Sequence, residues 1–371
     1  MLNLIQQLRS LENNLELLEK KTGISRERLN SITEGQAEPS MTEVRALSKV
    51  LKLSIDFLLG ENEEFSEIKV LFRSSTPKED TFKIDRISHI IGNIVALIGN
   101  NKSISPLFTS ISSFDSNKAI NAVALAYKFR ELFFKNDVIS PLISLPRILV
   151  EELQCVLSVS DLGKDTDGAS AVIDSIPFIF VSPRFEGRML YTIAHELGHI
   201  LAHLSENQNF GAIDKEITYL KNNRVHEESF ANIFAGSLLL PQRGVGETLK
   251  YIRAQNRSQG PIGDIEIIYL SRVYGVSFEV AAKRCEELEL LPEGGAISLY
   301  EYLKKVHGGP EQRAKQLSLP ERAKIDFPNI PAYIVHAALD KINQGELSLG
   351  KASEILRMPI TKIVNLNASN N

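Results

Sequence analysis

Cysteine and long apolar runs are both scarce in this chain, and each scarcity excludes a class of protein. Two cysteines occur among the 371 residues, Cys155 and Cys285. Because they lie far apart in apolar segments, we expect free thiols in a reducing cytoplasm rather than a disulfide. The most apolar segment, IIGNIVALIG, is too short to span a bilayer. The first residues lack the basic start and apolar run of a signal peptide, so we expect a cytoplasmic protein without a membrane partner.

An excess of one charge is also missing. The chain has 42 Lys and Arg against 46 Asp and Glu, a net charge of −4. No overall attraction to nucleic acid or to an anionic membrane follows from so small a value. The length exceeds one typical domain. The patterns described below divide the chain into four segments: 1–60, 61–115, 116–291 and 292–371.

Residues 1–60 predict an all-α domain of short helices joined by tight turns. The run NLELLEKKTGISRERLNSITEG indicates a helix, a turn at Gly23 and a second helix that begins after Ser25. This pattern resembles the helix-turn-helix of the XRE (Cro/C1-type) repressors, and the resemblance continues through EPSMTEVRALSKVLKLSIDFLLG. It implies a second helix that enters the major groove of DNA. The residues that it implies at the DNA are Arg26, Glu27, Arg28 and Asn30.

The first 60 residues depart from that family at two positions. Leu15 stands where the family often has a glutamine that contacts phosphate, and Glu19 stands where it has a small alanine. The segment also has eight basic and eight acidic residues. Without net positive charge we expect weak non-specific DNA affinity unless the protein dimerises. A helical module for protein docking or dimerisation is the alternative to DNA binding.

A linker with one amphipathic helix follows. The acidic stretch ENEEFSE (61–67) precedes a helix predicted around residues 82–99, where isoleucines at 84, 87, 91, 94 and 98 alternate spacings of three and four. This stripe has two interpretations. It is either a homodimer contact suited to a palindromic operator or a surface that packs on the chain's own next domain.

The segment from residue 116 predicts an α+β domain that is mostly helical with a small sheet. The runs NKAINAVALAYKFRELFF and LPRILVEELQCVL indicate helices, and GASAVIDSIPFIFVS indicates two short strands around Asp174 and Ser175. The run YTIAHELGHILAHL (191–204) then begins a new helix. We expect the sheet to pack beside this helix.

Histidines in YTIAHELGHILAHL indicate a metal site. His195 and His199 lie one turn apart on one face of a helix, where two imidazoles can bind one ion. Glu196 falls beside that face, within reach of a water on the metal. The H-E-x-x-H pattern on a helix is the signature of zinc peptidases. Four of the seven histidines lie between residues 195 and 226, which argues against a chance match.

A catalytic zinc needs a third protein ligand and an open position for water. His203 lies too far along a straight helix, and Ala202 and Ser205 replace the glycine and histidine of the metzincin motif. We therefore interpret His203 as structural or as a support for a ligand. The next helix, within VHEESFANIFAGSLLLP (225–241), offers Glu228 as the third ligand. Asn232, one turn further on, would steady a histidine ligand through its amide.

The residue pattern of this helix also predicts which of its faces pack against neighbours. Small Ala231 and Ala235 would let it approach its neighbour closely. His226 and Glu227 are the competing candidates for the third ligand. The predicted core stripe consists of Phe230, Ile233, Phe234 and Leu238.

Together, the strand pair, TIAHELGH and EESFANIFAGSLLLP resemble the ImmA/IrrE family of metallopeptidases over about residues 120–290. The resemblance implies a zincin-like fold, a Zn²⁺ held by His195, His199 and Glu228, and Glu196 as the catalytic base. It also implies a regulatory protein substrate, such as a repressor or a neighbouring gene product. A different class remains open, a regulator or antitoxin whose metal fold is structural or sensory and cleaves nothing. The donor for the tetrahedral oxyanion stays open among Tyr191, Tyr219 and His226.

The last part of the chain predicts more helices. Residues 267–288 repeat a helix, a turn at 275–277 and a second helix, and GELSLGKASEILRMPITKIVNL indicates another such pair. Packing within the core, docking of a protein substrate or contact with DNA would explain the first pair, and partner binding would explain the second.

Overall fold

The computed structural model describes residues 4–5, 8–9, 15–51, 55–59, 81–99, 105–107, 121–162, 166–203, 210–215, 226–257, 259–319 and 321–370. The acidic stretch predicted at 61–67 lies outside these ranges. The chain forms two compact units, Met1–Asn101 with Tyr333–Asn371, and Lys102–Ala332. The boundaries of these units fall inside two of the four predicted segments, 61–115 and 292–371, and the division into four segments stays a prediction.

The described elements follow one another in this order. The helices of the first part are α1 (Leu15–Thr22), α2 (Arg26–Thr33), α3 (Met41–Leu51), α4 (Ile55–Leu59) and α5 (Thr81–Ile98). The next elements are α6 (Ala122–Phe133), α7 (Leu145–Glu151), β1 (Val156–Val159), β2 (Thr166–Ile173), β3 (Ile176–Val181), α8 (Glu186–His203), β4 (Phe210–Lys215) and α9 (His226–Leu239). The chain continues with α10 (Gln242–Asn256), α11 (Asp264–Val273), α12 (Phe278–Glu287), α13 (Gly295–His307), α14 (Pro310–Gln316), α15 (Ala332–Asn343), α16 (Leu349–Leu356) and α17 (Ile360–Asn370).

The first unit contains the predicted helix-turn-helix. Between α1 and α2 the chain turns at Gly23, whose φ of +73° lies in the left-handed region that favours glycine. The side chain of Ser25 accepts a hydrogen bond from the amide of Arg28 and so caps the start of α2. Ile24, Leu29 and Ile32 are buried, as their spacing predicts.

The isoleucine stripe on α5 is buried within a single chain. Its five members are at most 5% exposed. Both interpretations of the stripe, a homodimer contact and packing on the next domain, stay predictions. Near the end of the chain, α16 and α17 are joined by the short turn at 357–359, which gives the predicted helix pair. The pair at 267–288 is present as α11 and α12.

The second unit is built on a small mixed sheet. The described strands have the order β1-β3-β2-β4, with β1 parallel to β3 and the other pairings antiparallel. The predicted strand pair is confirmed as the hairpin β2–β3. It turns at Asp174 and Ser175, which both have positive φ (52° and 65°), as a two-residue hairpin turn of the primed type requires.

One face of the sheet packs on α8. Leu157, Val172, Ile179 and Val181 share one hydrophobic core with buried residues of that helix. The edge of β1 is also covered, because the amide of Leu157 donates to the carbonyl of Asn329 at 2.9 Å. Strands β1, β2 and β3 therefore give α8 a largely buried support.

Two buried arginines hold the end of α9. The Nε atom of Arg130 on α6 donates to the carbonyl of Leu238 at 2.8 Å, and Nε of Arg284 on α12 donates to the carbonyl of Leu240 at 3.0 Å. The other guanidinium nitrogens of Arg130 donate to carbonyls of the loop after α6. Burial lowers the pKa of Arg130 to about 10, so it stays charged at neutral pH. These bonds satisfy carbonyls that a helix C-terminus leaves without a partner.

The core stripe predicted for α9 is wrong at one position. Ile233 is 37% exposed, whereas Phe234 and Leu238 are fully buried. The helix instead buries its small-residue face, since Ala231 and Ala235 are both 0% exposed.

No helix within the described ranges is both long and apolar enough to cross a membrane.

Replacing Arg130 by alanine should lower the free energy of unfolding by about 3 kcal/mol, because several buried carbonyls lose a charged donor. Urea denaturation would measure the loss. Arg147→Ala is the matched control, because Arg147 is 63% exposed and pairs with Glu151 at the surface. It should cost no more than about 0.5 kcal/mol. Equal losses in the two variants would contradict this account of the α9 terminus.

Candidate metal centre and DNA-recognition helix

Helices α8 and α9 bring three side chains with metal-binding atoms together. His195 and His199 on α8 are 0% and 3% exposed, and their Nε2 atoms lie 3.1 Å apart. Glu228, in the first turn of α9, places Oε2 3.4 Å from Nε2 of His195 and Oε1 3.5 Å from Nε2 of His199. The predicted third ligand therefore lies beside both histidines, while its role as a ligand stays a prediction.

These distances fit a single divalent ion. Bonds of about 2.0–2.1 Å to nitrogen or oxygen at tetrahedral angles would separate neighbouring ligand atoms by about 3.3–3.4 Å. The two imidazole nitrogens are 3.1 Å apart, and each lies 3.4 or 3.5 Å from one of the two carboxylate oxygens of Glu228, close to that value. His195, His199 and Glu228 could therefore form a metal site.

Small residues at the helix crossing make this convergence possible. A Cβ atom placed on Gly198 of α8 would lie 3.1 Å from the Cα of Ala231 and 3.2 Å from Cδ1 of Phe234 on α9. The backbones of α8 and α9 are thus nearly in contact. Phe234 also packs edge-on against Phe129 of α6, with ring centroids 6.4 Å apart.

Asn232 contacts the ring of His195 on the side away from Glu228. Its Oδ1 atom lies 3.1 Å from Nδ1 of His195. With the proton on Nδ1, that nitrogen donates to Asn232 and the lone pair of Nε2 faces the other two ligands. The hydroxyl of Tyr191 lies 3.2 Å from both the backbone carbonyl oxygen and Oδ1 of Asn232, so these two acceptors share its single proton. The role of Asn232 as support for a ligand stays a prediction, and this contact is the geometry that the role needs.

Glu196 is fully buried between α8 and the sheet. Its carboxylate lies directly against Gly168 of β2, where a Cβ atom would come within 2.9 Å of Cδ of Glu196 and 2.7 Å of Cγ2 of Thr192. Neither the place of Gly168 nor the contact of Tyr191 with Asn232 is predicted from the sequence. The available signals were a glycine inside a strand and the i, i+4 spacing of Tyr191 and His195.

Several candidates fall outside what the structure describes. His203 ends α8, but its side chain is not among the described ones. The same holds for the side chains of His226 and Glu227 at the start of α9, and Tyr219 lies outside the described ranges. Their predicted or competing roles remain predictions.

Comparison with known families finds a match both for the domain that holds the candidate metal centre and for the helix-turn-helix of the first unit. The model of the IrrE N-terminal-like domain, a metallopeptidase family, matches residues 150–286, and the Helix-turn-helix model matches residues 5–58. The chain joins an XRE-type helix-turn-helix domain to an IrrE-like metallopeptidase domain. Both resemblances inferred from the sequence are thereby confirmed, and the helix-turn-helix domain implies DNA binding. A search of curated proteins found no match.

The four residues expected at DNA differ in their availability. Arg26, Glu27 and Asn30 on α2 are exposed, whereas Arg28 is half-buried. Nε and Nη2 of Arg28 bind the carboxylate of Glu43 on α3 at 2.8 and 3.1 Å, and Nη2 also donates to the carbonyl of Glu38. The hydrogen bond from Arg28 lowers the pKa of Glu43 to about 2, so this pair is fully ionised at neutral pH.

The two departures from the XRE pattern have structural explanations. Leu15 is 3% exposed and belongs to the core of the domain. Oε1 of Glu19 accepts a hydrogen bond from the amide of Arg26 at 3.1 Å. Glu19 therefore satisfies an amide at the start of α2, where a carboxylate is also favoured by the helix dipole.

These contacts predict different effects for the two arginines. Arg26→Ala should weaken a mobility shift of the chain's own promoter DNA by about tenfold while leaving the Tm unchanged, since Arg26 is exposed. Arg28→Ala should lower the Tm, because it removes the link between α2 and α3. Arg147→Ala, in the other unit, should change neither. If Arg26→Ala shifted DNA like the wild type, the assignment of α2 as the DNA-contacting helix would fail.

Proposed function

We propose that this chain is a zinc-dependent regulatory endopeptidase that also binds DNA. The observation that carries the proposal is the convergence of His195, His199 and Glu228, within an IrrE-like domain, to separations of 3.1–3.5 Å. Glu196 follows the first ligand in the sequence, and its buried carboxylate is the base that we propose. The chain thus holds each part that hydrolysis of a peptide bond by this class of enzyme requires.

Zinc is the ion that best suits this set of donors. Two imidazole nitrogens and one carboxylate are the protein ligands of one class of catalytic zinc site, in which a fourth position is left for water or substrate. Bound there, zinc would acidify a water molecule and polarise the scissile carbonyl.

The remaining chemistry belongs to side chains of this domain. Glu196 accepts the proton of the attacking water and passes it to the leaving amine. Asn232 orients the ring of His195, and Tyr191 in turn holds Asn232. Because the hydroxyl of Tyr191 is engaged in this way, Tyr219 and His226 are the remaining candidates from the sequence for the oxyanion donor.

The substrate that we propose is a regulatory protein. By analogy with the ImmA/IrrE family, the candidates are a helix-turn-helix repressor or the product of a neighbouring gene, such as a toxin. The DNA-binding domain supports a regulatory setting, since it would hold the peptidase near an operator and the proteins bound there. The competing function is a regulator that keeps the metal site and cleaves nothing.

Glu196→Gln separates these two functions. The amide has the shape of the carboxylate but cannot accept a proton, so zinc content should stay at wild-type level while cleavage of a co-expressed neighbouring gene product falls by at least about 100-fold. Mass spectrometry of the neighbour and elemental analysis of the purified chain would measure both quantities.

Two further variants complete this experiment. Glu228→Ala should lose the zinc as well as the cleavage, and Glu131→Gln, at an exposed surface pair with Lys128, should keep both. Cleavage by Glu196→Gln at the wild-type rate would refute the proposed mechanism. A wild-type chain that binds zinc and leaves its neighbours intact would favour the non-cleaving regulator.

A further inference from the structure

We propose that an irregularity in strand β2, at Asp167 and Gly168, positions the carboxylate of Glu196 for its role as the base. This inference rests on the proposed function, because it assigns positioning residues to that reaction. It is carried by three observations: a register shift in the strand, a buried carboxylate paired with arginines, and a close approach of backbone to the carboxylate of Glu196.

The register of β2 against β4 shifts at Asp167. Thr166 pairs with Lys215, and the next pair is Gly168 with Asp214, so Asp167 is an extra residue on β2. Such a β-bulge bends the strand and redirects its side chains, and bulges are frequent beside active sites.

Asp167 fixes the bulge to the beginning of α8. Its side chain is 2% exposed, and Oδ2 accepts hydrogen bonds from Nη2 and Nε of Arg188 at 2.5 and 3.2 Å. Arg184, just before the helix, lies 3.5 Å from Oδ1. A buried carboxylate held by charged donors keeps a defined position, since releasing it would leave an uncompensated charge. The strand and the helix that carries Glu196 are therefore fixed to each other.

Gly168 then presents bare backbone to Glu196. A Cβ atom at this position would overlap with Oε1 of Glu196 and lie 2.7 Å from Cγ2 of Thr192, closer than real Cβ atoms approach other atoms. The φ angle of Gly168 lies outside the left-handed region, so its backbone conformation does not demand glycine. Glycine is required here because the carboxylate of Glu196 occupies the space that a side chain would need. A methyl group here would push the carboxylate away from its present position, and a shift of about 1 Å can cost about 100-fold in a catalysed rate.

The experiment uses the zinc-loaded full-length chain and acetohydroxamate as the probe. Acetohydroxamate chelates zinc and gives its proton to a neighbouring carboxylate, so its affinity reports the position of Glu196 without a protein substrate. Gly168→Ala should keep wild-type zinc content and bind acetohydroxamate at least about tenfold more weakly in calorimetry. Glu196→Gln should also bind the probe more weakly. Adding Gly168→Ala to Glu196→Gln should weaken binding no further, because the two changes act through one group.

Gly246→Ala is the matched control, since a Cβ atom there would meet nothing within 4 Å. It should bind the probe like the wild type. If Gly168→Ala does not fold, Asp167→Asn tests the same bulge and should weaken binding only where Glu196 is present.

The outcomes distinguish this inference from the proposed function. Wild-type affinity in Gly168→Ala, or an equal loss in the Glu196→Gln background, would overturn the positioning role and leave the peptidase proposal standing. The expected pattern of probe binding in a chain that cleaves no protein would support the positioning role and refute the peptidase.

Discussion

The crossing of α8 and α9 is the constraint on which the candidate centre depends. The metal-binding atoms lie on two helices, and they converge because Gly198 has no side chain and Ala231 has only a methyl group, so the backbones can approach closely. Close contact at one crossing brings Glu228 to both imidazoles at the same time. A larger residue at either position would separate the helices, and the three atoms would no longer suit one ion.

The surrounding structure holds these helices from their opposite ends. At the start of α8, the buried carboxylate of Asp167 binds Arg188 and so ties the helix to strand β2. At the end of α9, Arg130 and Arg284 bind the last carbonyls. The sheet supports the apolar face of α8 between these points. Charged groups thus bind one end of each helix, and close packing holds the crossing between the two helices.

Local patterns in the sequence were sufficient for the parts that depend on a single element. The spacing of His195 and His199, the hairpin at Asp174 and the helix-turn-helix all follow from periodicity and turn chemistry. Glu228 could be chosen because the small residues on its own helix marked the face that approaches a neighbour. The position of Ile233 is wrong because it was predicted from hydrophobicity alone. The helix buries its alanines instead.

Pairings across long distances in the sequence could not be predicted. Gly168 on β2 contacts Glu196 on α8, and Arg28 on α2 pairs with Glu43 on α3. In both cases the two residues lie on different elements. Neither leaves a periodic signal, because each depends on how whole elements pack.

The central claim is that three side chains from two helices bind one ion, and zinc K-edge X-ray absorption of the metal-loaded chain tests it most directly. The account predicts a four-coordinate shell with two imidazole nitrogens at about 2.0–2.1 Å and oxygen ligands at about 2.0–2.2 Å. It also predicts that Glu228→Ala loses this shell. A spectrum of zinc bound through sulfur, or one that is unchanged in Glu228→Ala, would contradict it.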